Sequence, residues 1–231
     1  MLDSRYFDGD YLKKNPSWDA EDSPWKAGKI IDLILKNNLK PQSIVEVGCG
    51  AGEVIKSIYR SFDGKIICEG YEISEQAYEI CKHKTEDNLK YFLGDLSGTK
   101  KYFDILLLID VFEHVPDYLG FLQKGKDLAE YKIFHIPLDM NVLSVLRAKP
   151  IMNVRDKVGH LHYFNKETAL ASLEDTGYTV IDYFFTAGSI EIQYSNLETK
   201  FMSLPRKILF NYSPDLAARV LGGFSLLVLA K

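Results

Sequence analysis

The sequence predicts an α/β fold in which a largely parallel sheet is covered by helices on both faces. Three observations point there. Strand-like and helix-like segments alternate along most of the chain at the length of βα units. The run Phe103–Ile109 is almost continuously apolar, as a parallel strand buried on both faces must be. Glycines cluster at 48, 50 and 52, where the first strand gives way to a helix. With 231 residues, 46% of them hydrophobic, the chain suits one domain with a full core.

Residues 1–40 read as an N-terminal arm and a helix. Up to Asp22 the chain is polar, with scattered aromatics (Tyr6, Phe7, Tyr11, Trp18) and no clear period. Ser23 as a cap, Pro24 at the first position and a stripe of Ala27, Ile30, Ile31, Ile34 and Leu35 predict a helix that Asn38 and Pro41 end. The core is expected over 41–188. Ser43–Val47 is a short β-branched strand, followed by a helical stripe at Val54, Ile55, Ile58, Tyr59 and Phe62. Residues 65–71 read as a second strand, and Ser74 caps a helix through Ala77, Tyr78 and Cys81. Leu89–Leu93 and Phe103–Ile109 are the third and fourth strands. A helix is expected over 118–130 and a fifth strand over 132–136. A helix at 166–176, capped by Asn165 and closed by Gly177, leads to a sixth strand at 178–185, and 224–230 is the last. Right-handed crossovers leave few topologies for such a series. Residues 138–164 and 189–223 break the alternation. The second carries a helix with Ser213 as cap, Pro214 at its start and Gly222 at its end. Long connections on an α/β scaffold usually serve as lids or substrate loops, and both are expected to do so.

Charge and composition narrow the function. A formal net charge of −4 gives no basic footprint for nucleic acid. Cys49, Cys68 and Cys81 follow no metal-ligand spacing, and an odd count suits reduced thiols in the cytoplasm. The acidic, aromatic start lacks the apolar region of a signal peptide, and no apolar run approaches the ~20 residues that span a bilayer.

The chemistry concentrates in Val45-Glu46-Val47-Gly48-Cys49-Gly50-Ala51-Gly52-Glu53. Glycines there let the chain turn sharply out of a strand and bring backbone amides close to a ligand. The helix start beyond them offers free N–H groups and partial positive charge, suited to an anion. A dinucleotide fold wants G-x-G-x-x-G, but position 53 is Glu.

The pattern E-x-G-C-G-x-G after a first strand resembles motif I of class I S-adenosyl-L-methionine (SAM)-dependent methyltransferases, and the resemblance continues in register over 44–185. Gly70-Tyr71-Glu72-Ile73-Ser74 resembles the end of the family's second strand, where an acidic residue holds the ribose hydroxyls. Glu72 suits that on its own, since a carboxylate accepts two hydrogen bonds from a cis-diol. Leu93-Gly94-Asp95-Leu96 is similar to the segment whose Asp contacts the adenine amino group. The segment from Phe103 to Pro116, ending Glu113-His114-Val115-Pro116, resembles the fourth strand and following loop of the branch with ubiquinone-biosynthesis and other small-molecule methyltransferases. The resemblance implies a Rossmann-like sandwich with a mostly parallel seven-stranded sheet and an antiparallel last strand. It implies SAM as cofactor, S-adenosyl-L-homocysteine (SAH) as product, and cofactor contacts from Glu46, Gly48, Cys49, Gly50, Gly52, Glu72, Ile73, Asp95, Leu96, Asp110 and Val111. The Asn/Asp-Pro-Pro-Tyr/Phe motif of adenine and glutamine methyltransferases is replaced by Asp110-Val111-Phe112-Glu113, which points away from those substrates.

Methyl transfer is an in-line displacement, so the protein chiefly aligns nucleophile, methyl and sulfur. A hydroxyl acceptor must also lose a proton, and a neutral His suits that near pH 7. His114, His160 and His162 are the candidates. His160 and His162 would share a face if extended, but no third or fourth ligand is evident and no metal is expected. Lys26 and Arg155 are either surface charges or contacts for an anionic substrate. Trp18 and Trp25 either pack on the core or bring aromatic faces to the sulfonium. The expectation is methylation of a small molecule, with oxygen favoured. The segment 22–27 resembles methyltransferases of glycan or lipid biosynthesis. The alternatives are a non-catalytic SAM-binding partner protein and a nicotinamide-dependent oxidoreductase, against which the glycine spacing speaks.

Overall fold

The computed structural model describes residues 10–18, 20–96, 101–192 and 197–231; the aromatic positions Tyr6 and Phe7 lie outside them. Strands β1 (Ser43–Val47), β2 (Ile67–Glu72), β3 (Leu89–Leu93), β4 (Phe103–Ile109), β5 (Ala129–Pro137), β6 (Val180–Thr186) and β7 (Ser225–Ala230) form one sheet in the order β3-β2-β1-β4-β5-β7-β6. Pairing from β3 across to β5 is parallel. β7 inserts antiparallel between β5 and β6.

The helices are α1 (Asp10–Lys14), α2 (Ser23–Lys36), α3 (Glu53–Ser61), α4 (Glu75–Cys81), α5 (Tyr118–Gly125), α6 (Val142–Arg147), α7 (Lys149–Lys157), α8 (Lys166–Asp175), α9 (Gly188–Glu191), α10 (Leu197–Tyr212) and α11 (Pro214–Val220). They divide between the two faces because β4 alternates. Ile105, Leu107 and Ile109 pack with Ile30, Ile34, Ile55 and Ile58 of α2 and α3 on one side. Leu106 and Leu108 pack with Leu122, Leu173 and Ala217 of α5, α8 and α11 on the other. Period-two alternation with apolar residues at both phases is what a doubly covered strand requires.

Several boundaries differ from the sequence expectation for identifiable reasons. Asp22, rather than Ser23, precedes α2, and its side chain makes no cap because its carboxylate is held by Lys26 at 3.0 Å. The helix expected to reach residue 130 stops at Gly125; a 3-10 turn follows, and Ala129 and Glu130 already belong to β5, Ala129 registered against Phe103. α8 is capped as expected, Asn165 accepting from the Thr168 amide while Thr168 Oγ1 accepts from the Asn165 amide. The 138–164 connection folds into α6 and α7, and 189–223 contains α10 ahead of the anticipated α11. Among the described residues no helix is long and apolar enough to cross a membrane.

Candidate active site

The loop after β1 is built from glycines that a side chain would destroy. Gly48, Gly50 and Gly52 have φ of 72°, 52° and 78°. A β-carbon on Gly52 would stand 2.5 Å from the Tyr91 ring and 2.8 Å from Cys81 Cβ, and one on Gly50 would stand 2.8 Å from the Trp18 ring. The sequence therefore folds here only with bare backbone. Two buried carboxylates hold the loop. Glu72 accepts from the amides of Gly50 and Ser74, both at 2.8 Å. Glu46 accepts from the Ile55 amide at the start of α3, at 3.1 Å. Burial pushes the Glu46 carboxyl up to about 8, and raises that of Glu72 against the pull of its backbone bonds.

A cavity of about 800 Å³ opens beside this loop, large enough for a nucleoside-sized cofactor together with an acceptor. It runs along the carboxyl ends of the strands, from Glu46, Gly48, Cys49 and Gly50 past Asp110, His114, His135 and His160 to Ser189 after β6. Among the residues expected to touch the cofactor, Gly52, Glu72, Ile73, Asp95, Leu96 and Val111 do not line it. Gly52 faces Tyr91, and Glu72 is buried against the Gly50 amide. Ile73 is half-buried and Asp95 exposed, while Leu96 sits in the core. The Val111 methyls pack over Gly48.

A chain of polar contacts crosses the cavity floor. Lys26 Nζ lies 3.0 Å from Asp22 and 2.8 Å from Asp110. Asp110 Oδ1 meets His135 Nδ1 at 2.7 Å, and His135 Nε2 meets Thr186 Oγ1 at 2.9 Å. Burial works against the Asp110 charge, yet the His135 ring and the Lys26 ammonium outweigh it and hold the carboxyl below the usual carboxylate range. Lys26 is shifted the other way, burial being overcome by Asp110 and Asp22. Spacing along the chain gives no sign of His135; its only signal is a polar residue in an otherwise apolar strand end. With both ring nitrogens engaged, His135 organises the floor rather than facing a substrate.

The candidate histidines separate in space. His160 Nδ1 meets Asp139 Oδ2 at 2.5 Å, and its ring stands 4.9 Å from that of His114 in a T-shaped contact. Both line the cavity. His162 turns away from it, Nε2 lying 3.0 Å from the Val115 carbonyl and its ring against Tyr118. Glu113 is fully buried beneath them; neither carboxylate oxygen has a hydrogen-bond partner among the described residues, and burial raises its pKa. Glu113, His114 and His160 bring three donor atoms within 4.8 Å of one another, so this group, rather than the His160–His162 pair, could hold a divalent cation. Of the two basic candidates, Lys26 is built into the floor, whereas Arg155 is exposed on α7. Trp25 lines the cavity and donates to Glu191 at 2.8 Å.

Comparison with known proteins places this geometry. A family model for a methyltransferase domain matches residues 20–183. A ubiquinone biosynthesis O-methyltransferase of Coxiella burnetii is 25% identical over 188 residues, covering 75% of this chain and 76% of the relative. The crystal structure of the plantazolicin methyltransferase BpumL, in complex with a triazolic desmethylPZN analog and SAH, superposes with a TM-score of 0.63 at 16% identity, covering 98% of this chain and 93% of that one. The magnesium protoporphyrin IX methyltransferase of Synechocystis PCC 6803 with bound SAH superposes with a TM-score of 0.59 at 14% identity, covering 90% and 82%.

Proposed function

The chain belongs to the methyltransferase-domain family, and we propose that it transfers the methyl group of SAM to an oxygen atom of a small-molecule acceptor. It is a SAM-dependent methyltransferase, with SAH as the product that leaves. The residues present fit that cofactor: the glycine loop 48–51 borders a cavity of sufficient volume, and Glu72 lies directly behind it. In our reading the amides of this loop face the methionine end of SAM, and the ribose and adenine extend toward the ends of β2 and β3, next to Glu72 and Asp95. Bound SAM supplies an electrophilic methyl carbon with a sulfonium leaving group. The rest is positioning and proton handling by the chain.

The observation that carries the oxygen acceptor is the Asp139–His160 contact on the wall of the same cavity. A carboxylate on Nδ1 fixes the ring's orientation and leaves Nε2 to take a proton from a hydroxyl, the arrangement a general base needs. The His114 ring meets that ring in a T-shaped contact and supports its orientation. Trp18 over Gly50 and Trp25 over the floor keep water from the reacting atoms. The name of the Coxiella relative supports an oxygen acceptor. The resemblance of residues 22–27 supports a setting in glycan or lipid biosynthesis, and three free cysteines support the cytoplasm.

The test begins with calorimetric titration of the purified chain with SAM, SAH and NADH, followed by labelled-methyl transfer to a panel of phenols, catechols and sugars. Binding of SAM and SAH but not NADH is expected, with label in an O-methyl product. The variant His160→Gln should lower turnover about a hundredfold or more while SAH affinity stays within a few-fold. Label on carbon or nitrogen, or unchanged turnover in that variant, overturns the oxygen reading.

A further inference from the structure

At its β6 end the cavity is walled by polar groups that neither cofactor binding nor proton transfer uses. Ser189, in α9, has a buried hydroxyl oxygen and Arg206, in α10, a buried Nε, neither with a hydrogen-bond partner among the described residues. Both line the cavity. They converge on Gly223, where a β-carbon would stand 2.8 Å from Ser189 Oγ and 3.1 Å from Arg206 Cζ. Gly223 has φ +84° and leads into β7, and its lack of a side chain is what lets both groups approach the same stretch of backbone.

The electrostatics suit an anion. Among the described residues no carboxylate pairs with Arg206. Burial disfavours its charge, and the charge that weighs on it most is a like one, the Arg147 guanidinium. A partly desolvated guanidinium that pairs with no carboxylate among the described residues, beside a buried hydroxyl, is a donor set suited to acceptor oxygens. The guanidinium fork matches the paired oxygens of a carboxylate or phosphate, and the serine hydroxyl can add a further donor. Ser189 follows β6, three strand spacings of ~4.8 Å from β4, whose following loop carries His114. The pair thus lies along the cavity from the histidines rather than among them.

We propose that Arg206 and Ser189 form an anion subsite for the methyl acceptor, so that the substrate carries a carboxylate or phosphate group at the end remote from the methylated atom. The subsite deepens the functional reading above and rests on it for the identity of the reacting end.

The test titrates the full chain calorimetrically with phenyl phosphate, benzoate and phenol, both with SAH at saturation and without it. Saturable one-to-one binding of an anion at least about tenfold tighter than phenol is expected, lost in Arg206→Ala, partly kept in Arg206→Lys and weakened in Ser189→Ala. SAH affinity should stay within about twofold in all three, with melting temperatures verifying that each is folded. Preference for phenyl phosphate assigns a phosphate monoester, and preference for benzoate a carboxylate. Equal binding of phenol and the anions overturns the subsite, as does anion binding unchanged in Arg206→Ala. A fall in SAH affinity with no change in anion binding would assign Arg206 to the methionine carboxylate instead. The arm without SAH reads the subsite even if the cofactor reading fails.

Discussion

Asp110 bears much of the site's geometry on one side chain. Its backbone is left-handed, at φ +53°, which a residue other than glycine adopts at a cost of roughly 1–2 kcal/mol. The conformation aims one oxygen at His135 and the other at Lys26. Asp110→Asn removes the charge that both partners lean on, and breaking a largely buried pair by removing one member typically costs about 3–5 kcal/mol. We predict a loss toward the lower end of that range by urea unfolding, because Asp22 still faces Lys26. Adding Lys26→Met should recover part of it, since the stranded charge disappears too; strict additivity would refute the coupling. Glu46 carries the opposite pH signature. Its carboxyl is raised from 4.5 to about 8, so between those values the folded chain holds a proton that the unfolded chain has released. Stability therefore falls as pH rises through that window. Glu46→Gln keeps an oxygen for the Ile55 amide but has nothing to ionise, so it should flatten the decline, by on the order of a few kcal/mol at pH 8 and little at pH 5. Equal pH dependence in variant and parent would show that Glu46 does not titrate there.

At the level of elements, the N-terminal segment is a strap joining two walls of the cavity. Trp18 lies against Gly50 and, 4.7 Å away, against the Tyr11 ring of α1. Lys14 and Asn15 donate to the carbonyls of Asp156 and Lys157 at the end of α7. Trp18→Ala should accordingly weaken SAH binding by about three- to thirtyfold, the range of one lost aromatic contact at a ligand, with little change in melting temperature. An unchanged dissociation constant would reduce the segment to packing. This strap was not legible in the sequence, because scattered aromatics carry no period. The strands were legible: β1, β3 and β4 end where apolar runs meet Gly48, Gly94 and Asp110, and Ser213 and Asn165 cap as their types predict. α10 was hidden because Pro205 inside it reads as a breaker. Within the site, motif spacing located the glycine loop, but His135, Ser189 and Arg206 come from separate elements, and only topology brings them to one cavity.

For the whole molecule, the sheet order explains why the cavity is where it is. Connections run outward from β1 to β2 and β3 on one side and from β4 to β5 on the other, so a crevice is left outside the carboxyl ends at the point where the order reverses. The glycine loop borders the crevice at β1, and His114, His135 and Ser189 follow along it from β4 to β6. Because α1 bridges the glycine loop and α7, a ligand at the loop should tighten both ends of that bridge at once. Hydrogen exchange with and without SAH reads this directly. Saturating SAH should slow amides over 48–55, 11–18 and 150–158 together, while the centre of the β5–β7 ladder, already paired on both sides, changes little. At a hundredfold excess over its dissociation constant SAH should also stabilise the fold by ~2.7 kcal/mol, raising the melting temperature by roughly 5–10 °C for a chain of this size. Protection confined to 48–55 would mean that cofactor binding and closure of the strap are independent. The acceptor side of the cavity would then take its shape without the cofactor, and acceptor and SAM should bind in either order.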